Sequence, residues 1–383
     1  MTCRVLLIQE AMGGCGRHVV DLVEGLDPQR FDVTLMYGAT RVDDYYREAL
    51  PALSRRARVV PCAHLRREIS PKHELRALAQ TMRLIREVRP DVVHCHSSKA
   101  GAIGRLAVML CGRRYGVKRV FYTPHAYSFQ APEFSGKKEF VFTALERWLS
   151  RHATDVTFNV SAGERQAALD AGLDDPSKFE VIYNGVADRP IPSKAQARAL
   201  LGLADLPADA PVVGVTARLV DQKDPMTSVA IAARVIGQCP DVHVVYVGDG
   251  PYASQMEAYC REHGIADRVH IVGYRADAER IVAAFDVYLL TSLYEGMPYS
   301  LVEALRAGVP IAATDTIGND EVVEPERNGL LFPVGDVDAG AAAVLRLLDD
   351  PLPREGIVGS FRERFTLDRM LETISAHYEE AAA

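Results

Sequence analysis

Short apolar runs alternate with helical patterns along almost the whole sequence, and this alternation constrains the fold more than any other feature. The runs are almost continuously apolar, as in strands buried on both faces of a parallel sheet. Parallel strands need long crossovers, so the intervening segments are predicted to be helices covering both faces. The predicted strands are 4–9, 32–37, 58–60, 91–96, 119–123, 155–160 and 179–183 in the first half, and 212–217, 242–248, 268–273, 286–290 and 310–314 in the second.

These two groups of strands indicate two domains of the same α/β class. A segment rich in proline and alanine, 187–211, lies between them, and its start predicts the linker. We therefore predict doubly wound, Rossmann-like domains at 1–188 and 189–363, followed by a helix at 364–383. Ligands of such sheets bind beyond the carboxyl ends of the strands, so two facing domains can build one shared cleft.

The net charge of −7 is unevenly distributed. Residues 1–190 hold 28 Lys and Arg against 22 Asp and Glu, a balance of +6, whereas the remainder holds 16 against 29, a balance of −13. A basic first half favours an anionic partner there, although an excess of this size also arises by chance.

Three absences favour a cytoplasmic protein. No apolar run reaches the length of a membrane-spanning helix. The N-terminal segment MTCRVLLIQEAMGG lacks the flanks and cleavage site of a signal peptide and is predicted to be the first strand. The seven cysteines are scattered without C-x-x-C spacing, which indicates reduced thiols rather than a disulfide framework or a zinc site.

The densest chemical pattern lies at 291–315, TSLYEGMPYSLVEALRAGVPIAATD. A strand end, a loop carrying Glu295 and a helix beginning near Ser300 follow one another there. Ser300 and Glu303 match a capping box, so Glu303 is either a cap of its own helix or a ligand. The helix start offers N–H groups to a phosphate. The carboxylates on either side can accept hydrogen bonds from the hydroxyl groups of sugars. The pattern fits a nucleotide sugar.

Two cations follow the first strand of the second half. Arg218 and Lys223 lie in TARLVDQKD, where an α/β site is expected. A diphosphate needs countercharge at this place, although solvated surface cations would have the same spacing. Glycines in 247–251 and 272–274 end two further strands and permit a close backbone approach to a ligand.

These motifs together resemble the retaining glycosyltransferases of family 4, also described as glycosyl transferases group 1. The resemblance rests on Glu295 and Glu303, the cations before them and NGLLFPVGD at 328–336. In the first half, 94–107 and 120–129 resemble members that build bacterial capsule, exopolysaccharide or O-antigen. The family implies a GT-B fold, in which two Rossmann-like domains face each other across a central cleft and a C-terminal helix crosses back to the first domain.

The resemblance also implies roles for individual residues. Glu295 contacts hydroxyls of the donor sugar, Glu303 binds the ribose, and Arg218 and Lys223 neutralise the diphosphate. His125, in TPHAY, lies near the donor sugar and the reacting centre. The predicted catalytic residues are His125, Glu295, Arg218 and Lys223, and the predicted donor-binding residues are Gly14, Arg218, Lys223, Gly273, Tyr274, Arg275, Glu295, Gly296, Met297, Pro298, Ser300, Leu301 and Glu303.

No residue offers itself as a carboxylate nucleophile, because both glutamates are assigned to binding. The family instead implies same-face attack, with the leaving phosphate accepting the proton of the acceptor. His94 and His96 alternate along a strand and are expected on opposite faces, with no spacing that indicates a metal site. Asp336, in the only D-x-D, is predicted to cap a helix. No metal ion or other cofactor is expected.

The loop IQEAMGGCGRHVV, 8–20, resembles a dinucleotide fingerprint but has Val19 in place of the third glycine. We predict that it forms the acceptor side of the cleft, with Gly14 also near the donor diphosphate. For Lys99, which we place with this loop, an ordinary surface position is the alternative. The predicted acceptor-binding residues are Gly13, Arg17, His18 and Lys99.

The helical segment 137–153 carries Lys137 and Lys138 beside an apolar set, Phe140, Val141, Phe142, Leu145, Trp148 and Leu149. It is either an ordinary core-facing helix or one that dips into an anionic membrane surface. The predicted partners are a UDP- or GDP-sugar, a polyprenyl-diphosphate-linked glycan and the inner face of the cytoplasmic membrane, with no nucleic acid.

Three other functions compete with this interpretation. A nucleotide-sugar 2-epimerase of GT-B fold would convert UDP-N-acetylglucosamine without an acceptor. A nicotinamide-dependent oxidoreductase is disfavoured by the broken fingerprint and by Tyr37-Gly38, which stands where a ribose-binding acid is expected. A protein that only binds nucleotides would show affinity without turnover.

Overall fold

The structure, a computed structural model, describes residues 2–130 and 136–382. The chain forms two compact units. Unit 1 runs to Asn184 and resumes at Leu367, and unit 2 is Gly185–Thr366. The sequence predicts these boundaries at 188 and 363, a few residues away from the observed crossings.

Unit 1 is built on a seven-stranded sheet in the order β3-β2-β1-β4-β5-β6-β7, and every pair is parallel. Helices connect the strands, as the apolar alternation predicts. The elements are β1 (Cys3–Gln9), α1 (Gly14–Gly25), β2 (Phe31–Gly38), α2 (Asp44–Arg56), β3 (Arg58–Cys62), α3 (Pro71–Val88), β4 (Val92–His96), α4 (Ser98–Cys111), β5 (Arg119–Thr123), α5 (Lys137–Ala153), β6 (Val156–Asn159), α6 (Ala162–Asp170) and β7 (Phe179–Val181).

Unit 2 contains a six-stranded parallel sheet in the order β10-β9-β8-β11-β12-β13. The predicted α/β class is confirmed in both units. The elements are α7 (Lys194–Leu200), β8 (Val212–Thr216), α8 (Pro225–Gln238), β9 (His243–Val247), α9 (Ala253–Glu262), β10 (Val269–Ile271), α10 (Ala278–Ile281), β11 (Val287–Leu290), α11 (Tyr299–Ala307), β12 (Ile311–Thr314), α12 (Asn319–Val322), β13 (Gly329–Phe332), α13 (Val337–Asp349) and α14 (Arg354–Arg364).

The last helix, α15 (Leu367–Ala382), returns to unit 1, as the resemblance implies. Met370, Ile374 and Tyr378 are each four residues apart and form one buried face of this helix. They belong to the same hydrophobic core as residues of β1 and α1. The final helix is therefore a structural part of the first unit.

Each sheet has one topological switch point, where the strand order reverses. In unit 1 it lies between β1 and β4, and in unit 2 between β8 and β11. Loops leaving two neighbouring strands there go to opposite faces of the sheet and open a crevice at the carboxyl ends. Candidate ligand-binding residues are therefore sought in the loops that follow these four strands.

Helix α5 has a mixed inner face and an outer face that carries large apolar residues. Glu146, Leu149 and Ser150 are buried. Phe140 is 76% exposed and Trp148 is 42% exposed. The outward residues follow helical spacing and are called here the apolar stripe of α5: Phe140, Val141, Ala144, Leu145 and Trp148.

The burial of α5 differs from that of an ordinary core-facing helix, and a membrane role of the segment stays a prediction. An ordinary core-facing helix would bury its apolar face, whereas α5 buries Glu146 on the Arg105 guanidinium through bonds of 2.7 and 2.9 Å. Of the predicted apolar set, Leu149 is buried and Phe142 half-buried. Within residues 2–130 and 136–382, no helix is both long and apolar enough to cross a bilayer.

Candidate active site

Two loops meet at the switch point of unit 2, one after β8 and one after β11. The backbone N–H of Leu293 donates to the carbonyl of Gln222 at 2.8 Å, and the Gln222 amide donates to the carbonyl of Tyr294 at 3.0 Å. The hydroxyl of Thr291 donates to the carbonyl of Lys223 at 2.8 Å. These bonds hold the two predicted donor-binding segments against each other.

Lys223 and Glu295 form an ion pair across these loops. Their side chains are 16% and 7% exposed, so the pair is largely withdrawn from water. The sequence assigns one residue to the diphosphate and the other to the sugar, and it does not predict that they bind each other. The buried pair therefore brings together a cation and a carboxylate that can accept hydrogen bonds from hydroxyl groups.

Arg218 differs from Lys223 in its surroundings. Its side chain is exposed, and it has no ion-pair or side-chain hydrogen-bond partner among residues 2–130 and 136–382. An unpaired guanidinium at the carboxyl end of β8 offers five N–H donors in a planar fork that matches a phosphate. It is therefore the cation most available to an anionic ligand in this crevice.

Helix α11 begins at Tyr299 with Pro298 as its N-cap, and no side chain caps it. The predicted Ser300–Glu303 capping box is wrong, because Pro298 is extended (ψ 122°) and starts the helix before Ser300. Glu303 is then the fifth residue of the helix rather than a residue of its first turn. It is 4% exposed and does not cap the helix, and its role stays a prediction.

The start of α11 supplies fewer free amides than the sequence predicts. The N–H of Leu301 donates to the carbonyl of Pro298 at 3.2 Å, so this amide is not open to a phosphate. The buried Tyr288 bonds to Thr216 through its hydroxyl. Burial raises the pKa of Tyr288 to about 12, although hydrogen bonds to Ser300 and Thr216 act in the opposite direction. Tyr288 therefore stays neutral beside Glu303.

Close backbone packing at the crevice depends on glycines. Gly318 has φ 84°, and a Cβ there would lie 2.3 Å from the carbonyl oxygen of Gly296. Gly248 has φ 144°, and a Cβ there would lie 2.0 Å from the carbonyl oxygen of Ala217. These positions accept only glycine without a shift of the loops. They keep the EGMP loop, whose Met297 and Pro298 are buried, and the Arg218 loop in place.

The predicted base-binding segment follows β10. Gly273 has φ 73°, and its carbonyl accepts the N–H of Gly248 at 2.8 Å. Tyr274 is 39% exposed. Arg275 is paired with Asp277 at 2.9 and 3.0 Å, which raises the pKa of the guanidinium and lowers the pKa of the carboxyl. The charge of Arg275 is thus already compensated within the segment.

In unit 1, His94 and His96 lie on the same face of β4, with ring centroids 4.0 Å apart. The expectation of opposite faces is wrong because residues two apart share one face of a strand. His94 has both nitrogens engaged, Nδ1 with Tyr378 Oη and Nε2 with Thr123 Oγ1 at 2.8 Å. His94 thus connects β4 to α15 and β5, while His96 is the last residue of β4.

His18 on α1 and His125 after β5 lie against His96. The His18 ring centroid is 5.4 Å from that of His96 and 4.8 Å from that of His125. Burial lowers the pKa of His18 to about 4 and holds the pKa of His96 and of His125 well below the usual range. The three imidazoles are therefore neutral at pH 7 and can accept hydrogen bonds.

The other predicted acceptor residues are engaged within the protein. The Gly13 N–H donates to Asp43 Oδ2 at 2.9 Å, and Gly14 is the first residue of α1. Arg17 forms an ion pair of 3.5 Å with Asp21 on the same helix. Lys99 is paired at 2.5 Å with a carboxylate of α3, that of Glu74. None of these side chains presents an uncompensated charge, so the basic first half does not by itself make a phosphate site here.

Glu10 is a candidate site residue that sequence reasoning missed. It follows β1 directly at the switch point and is 7% exposed. Burial raises the pKa of its carboxyl, although Arg41 and Lys99 act in the opposite direction. The Arg41 guanidinium lies 3.9 Å from Glu10 Oε1. An acidic residue immediately after an apolar first strand is the signal that could have found it, because that position faces the ligand edge.

Two family models match the chain. The one described as "Glycosyltransferase Family 4" matches residues 12–189, and the one described as "Glycosyl transferases group 1" matches residues 210–350. Together they take in most of both units. The chain belongs to the family 4 glycosyltransferases. The expectation drawn from the resemblance is confirmed for the family and for the fold.

Named relatives of this glycosyltransferase come from bacteria. The UDP-Gal:alpha-D-GlcNAc-diphosphoundecaprenol alpha-1,3-galactosyltransferase of Escherichia coli is 28% identical over 347 residues, 88% of this chain and 86% of the relative. The 2-deoxystreptamine glucosyltransferase of Streptomyces kanamyceticus is 32% identical over 247 residues, 62% of this chain and 63% of the relative. Both relatives are glycosyltransferases, and they use chemically different acceptors.

A solved structure has the same fold as this glycosyltransferase. HepE from Anabaena, crystallised with UDP and glucose, superposes with a TM-score of 0.79 at 22% identity, over 99% of this chain and 100% of that one. The likeness supports the two-sheet architecture described above.

The structure brings the predicted residues of this glycosyltransferase together in two groups. In unit 2, Arg218, Lys223, Glu295 and Glu303 surround the β8/β11 switch point, and in unit 1, His18 and His125 lie at the ends of the central strands. Their individual roles stay predictions. The Asp336 prediction is confirmed, since its carboxylate caps α13 by accepting the N–H of Ala339 at 2.9 Å.

Proposed function

We propose that this enzyme transfers a hexose from a UDP-sugar to a hydroxyl of a polyprenyl-diphosphate-linked glycan during synthesis of a bacterial surface polysaccharide. The observation that carries the proposal is the switch point at β8 and β11, where the loop after β8 carries the exposed Arg218 and the buried Lys223–Glu295 pair joins that loop to the one before α11. A diphosphate that joins a sugar to a ribose fits this combination of cations and carboxylates. The lipid-linked acceptor of the Escherichia coli relative and the UDP bound to HepE support the substrate classes.

Donor binding is divided among the groups of unit 2. Arg218 holds the diphosphate with its planar fork, and Lys223 shares its three N–H donors between that diphosphate and Glu295. Glu295 accepts hydrogen bonds from the hydroxyl groups of the sugar, and Glu303 accepts hydrogen bonds from those of the ribose. The backbone of Gly273, Tyr274 and Arg275 contacts the base. A GDP-sugar stays an alternative donor that the same groups would bind.

The chemistry we propose is a same-face substitution that retains the anomeric configuration. The bond between the anomeric carbon and the diphosphate oxygen breaks while the acceptor oxygen bonds to the same face, and the acceptor proton passes to the leaving diphosphate. Arg218 and Lys223 stabilise the charge that develops on the diphosphate, so the reaction proceeds without a metal ion. Neutral His125 accepts a hydrogen bond from the sugar near the reacting carbon.

The acceptor is proposed to bind at unit 1. Glu10 directly follows β1, and its carboxyl, whose pKa is raised, is proposed to accept a hydrogen bond from an acceptor hydroxyl. Arg41 and Lys99, which act on Glu10, would meet the anionic part of the acceptor, with Lys99 released from its carboxylate partner on α3. A diphosphate-linked acceptor needs these cations, whereas an uncharged acceptor would not.

Donor choice is tested by thermal unfolding of the full chain. UDP at about one hundred times its Kd is expected to add about 2.7 kcal/mol of stability and to raise Tm by roughly 5–10 °C. GDP at the same concentration is expected to give a smaller shift. A larger shift with GDP would overturn the choice of base.

Transfer is tested with UDP-hexoses and a synthetic polyprenyl-diphosphate-linked acceptor. Product formation is expected only when both substrates are present. Conversion of UDP-N-acetylglucosamine without an acceptor would identify a 2-epimerase instead. Equal transfer to free 2-deoxystreptamine would remove the requirement for a lipid diphosphate.

Membrane association is proposed to occur through the apolar stripe of α5, with Lys137 and Lys138 beside it. Exposed aromatic residues next to cations suit an anionic interface. We expect the full chain to co-sediment with vesicles that contain anionic lipid and much less with zwitterionic vesicles. Phe140→Ser together with Trp148→Ser is expected to lower binding about tenfold without lowering Tm, because both side chains are exposed.

The matched control is Val334→Ser, which removes an exposed apolar side chain from unit 2. It is expected to leave vesicle binding unchanged. Equal binding by the α5 variant and the wild type would contradict the membrane role of the stripe.

A further inference from the structure

Three histidines from distant segments converge in unit 1. One nitrogen of each of His18, His96 and His125 lies within 4.8 Å of one nitrogen of each of the others. His96 Nδ1 is 3.2 Å from His125 Nε2. Two imidazole nitrogens bound to one tetrahedral Zn²⁺ at about 2.0–2.1 Å stand roughly 3.3 Å apart. Within this histidine triad, the spacing of the His96–His125 pair thus matches that of two ligands around a shared ion, and a nitrogen of His18 lies within 4.8 Å of both.

The triad is incomplete as a set of protein hydrogen bonds. His18 is 2% exposed and His96 is 0% exposed, and the Nε2 atom of each has no hydrogen-bond partner in the described part of the chain. A buried polar atom without a partner costs about 1–3 kcal/mol. An ion held beside His96 Nδ1 and His125 Nε2 would satisfy the open Nε2 atom of His18.

The surroundings fix the orientation of the triad. The Nδ1 atom of His18 lies 3.0 Å from Asn184 Oδ1, so it carries the proton and leaves the lone pair of Nε2 available. His125 is held at φ 54° and Ala126 at φ 79°, and the Ala126 N–H donates to Glu164 at 2.5 Å. Left-handed conformations at successive non-glycine residues cost of order 1–3 kcal/mol each and persist only where the fold enforces them.

His125 is half-buried, whereas His18 and His96 are buried. His94 is excluded as a fourth ligand, since both of its nitrogens are engaged. Three imidazoles and one open position, completed by water, form a donor set that zinc and neighbouring divalent transition metals prefer.

We propose that His18, His96 and His125 bind one divalent transition-metal ion, with Zn²⁺ as the physiological occupant. The site goes beyond the proposed transfer reaction, which needs no metal. A bound ion would take up the nitrogens of His18 and His125, so Zn²⁺ acts as an inhibitor of transfer rather than as a cofactor.

The test measures metal binding directly and is independent of transfer. Chelator-treated full-length protein is titrated with Co²⁺, and the visible absorption of the bound ion is followed before Zn²⁺ is added in competition. We expect about one equivalent of Co²⁺ with the intense bands of a four-coordinate site, displaced by Zn²⁺. Absence of a stoichiometric Co²⁺ site in the wild type overturns the proposal.

Variants assign the ligands. His18→Gln and His96→Gln are each expected to weaken binding at least a hundredfold, and Asn184→Ala, which keeps all three ligands but releases His18, about 10–100-fold. Matched controls come from two other close histidine pairs, His64···His73 at 3.0 Å and His243···His270 at 2.9 Å. His64→Gln and His243→Gln are expected to leave the Co²⁺ site unchanged.

Two results contradict the assignment. One is unchanged Co²⁺ binding in folded His18→Gln and His96→Gln, and the other is loss of the site in either control. Should His96→Gln unfold, Asn184→Ala decides, because its substitution lies outside the ligand set: an unchanged affinity overturns the assignment. A failed transfer assay bears only on the proposed function, since Co²⁺ binding is read without substrates.

Discussion

Replacing Lys223 with alanine is expected to lower kcat/KM for sugar transfer by about 10³-fold. The substitution removes a cation proposed to stabilise the leaving diphosphate, and the loss of one such group costs about 10²–10³ in rate. It also leaves the buried carboxylate of Glu295 without its partner beside a doubly charged ligand. The measurement is the initial rate of transfer from the UDP-sugar, with Tm recorded on the same sample.

Stability and chemistry are separated by a second variant and a control. Breaking a buried ion pair from one side costs about 3–5 kcal/mol, so Lys223→Ala is expected to unfold earlier as well. The double variant Lys223→Ala/Glu295→Ala removes both charges and is expected to regain stability but not activity. Lys194→Ala breaks a more exposed lysine pair, with Asp286, in the same unit and is expected to retain activity. Folded Lys223→Ala within threefold of wild-type kcat/KM would sink the site assignment.

Arg105→Met is expected to be the most destabilising single change discussed for unit 1. The Arg105 side chain is fully buried, bonds both oxygens of Glu146 and lies 3.9 Å from the centroid of the Tyr122 ring. Removing it leaves a carboxylate that is 11% exposed without a partner, at a cost of about 3–5 kcal/mol. The expected fall in Tm is roughly 6–20 °C, measured by differential scanning calorimetry.

The origin of the loss is tested by replacing the partner as well. Arg105→Met/Glu146→Leu removes both charges and fills the space, so it is expected to recover most of the stability. Arg58→Met provides a surface comparison, since the Arg58–Glu87 side chains are 55% and 44% exposed and such pairs contribute about 0–1 kcal/mol. A double variant as unstable as Arg105→Met would show that packing against Tyr122, rather than the unpaired charge, dominates.

The α/β class could be predicted because buried parallel strands are apolar throughout and stand apart from their helices. The sequence does not predict β13 (Gly329–Phe332), because this strand is short and only partly buried. It begins within Asn328-Gly329, a turn signal, and only its pairing with β12 identifies the segment as a strand. The direction of the apolar stripe of α5 was also beyond the sequence, since the burial of Glu146 depends on Arg105 in another helix.

Residue types at the candidate site could be predicted because the crevice lies where strands end. Contacts between loops could not, because Lys223 and Glu295 are 72 positions apart and meet only when β8 and β11 pair. The start of α11 was misjudged because a capping-box pattern is local, whereas Pro298 already fixes the backbone before it. For His94 and His96, the period of a strand alone suffices to place both on one face.

The return of α15 to unit 1 has a consequence for synthesis on the ribosome. Unit 2 has all of its residues once Thr366 has left the exit tunnel, although it is encoded after most of unit 1. Unit 1 must wait for Met370, Ile374 and Tyr378 before the core around β1 is complete. The half that is translated first is therefore the last to complete its core.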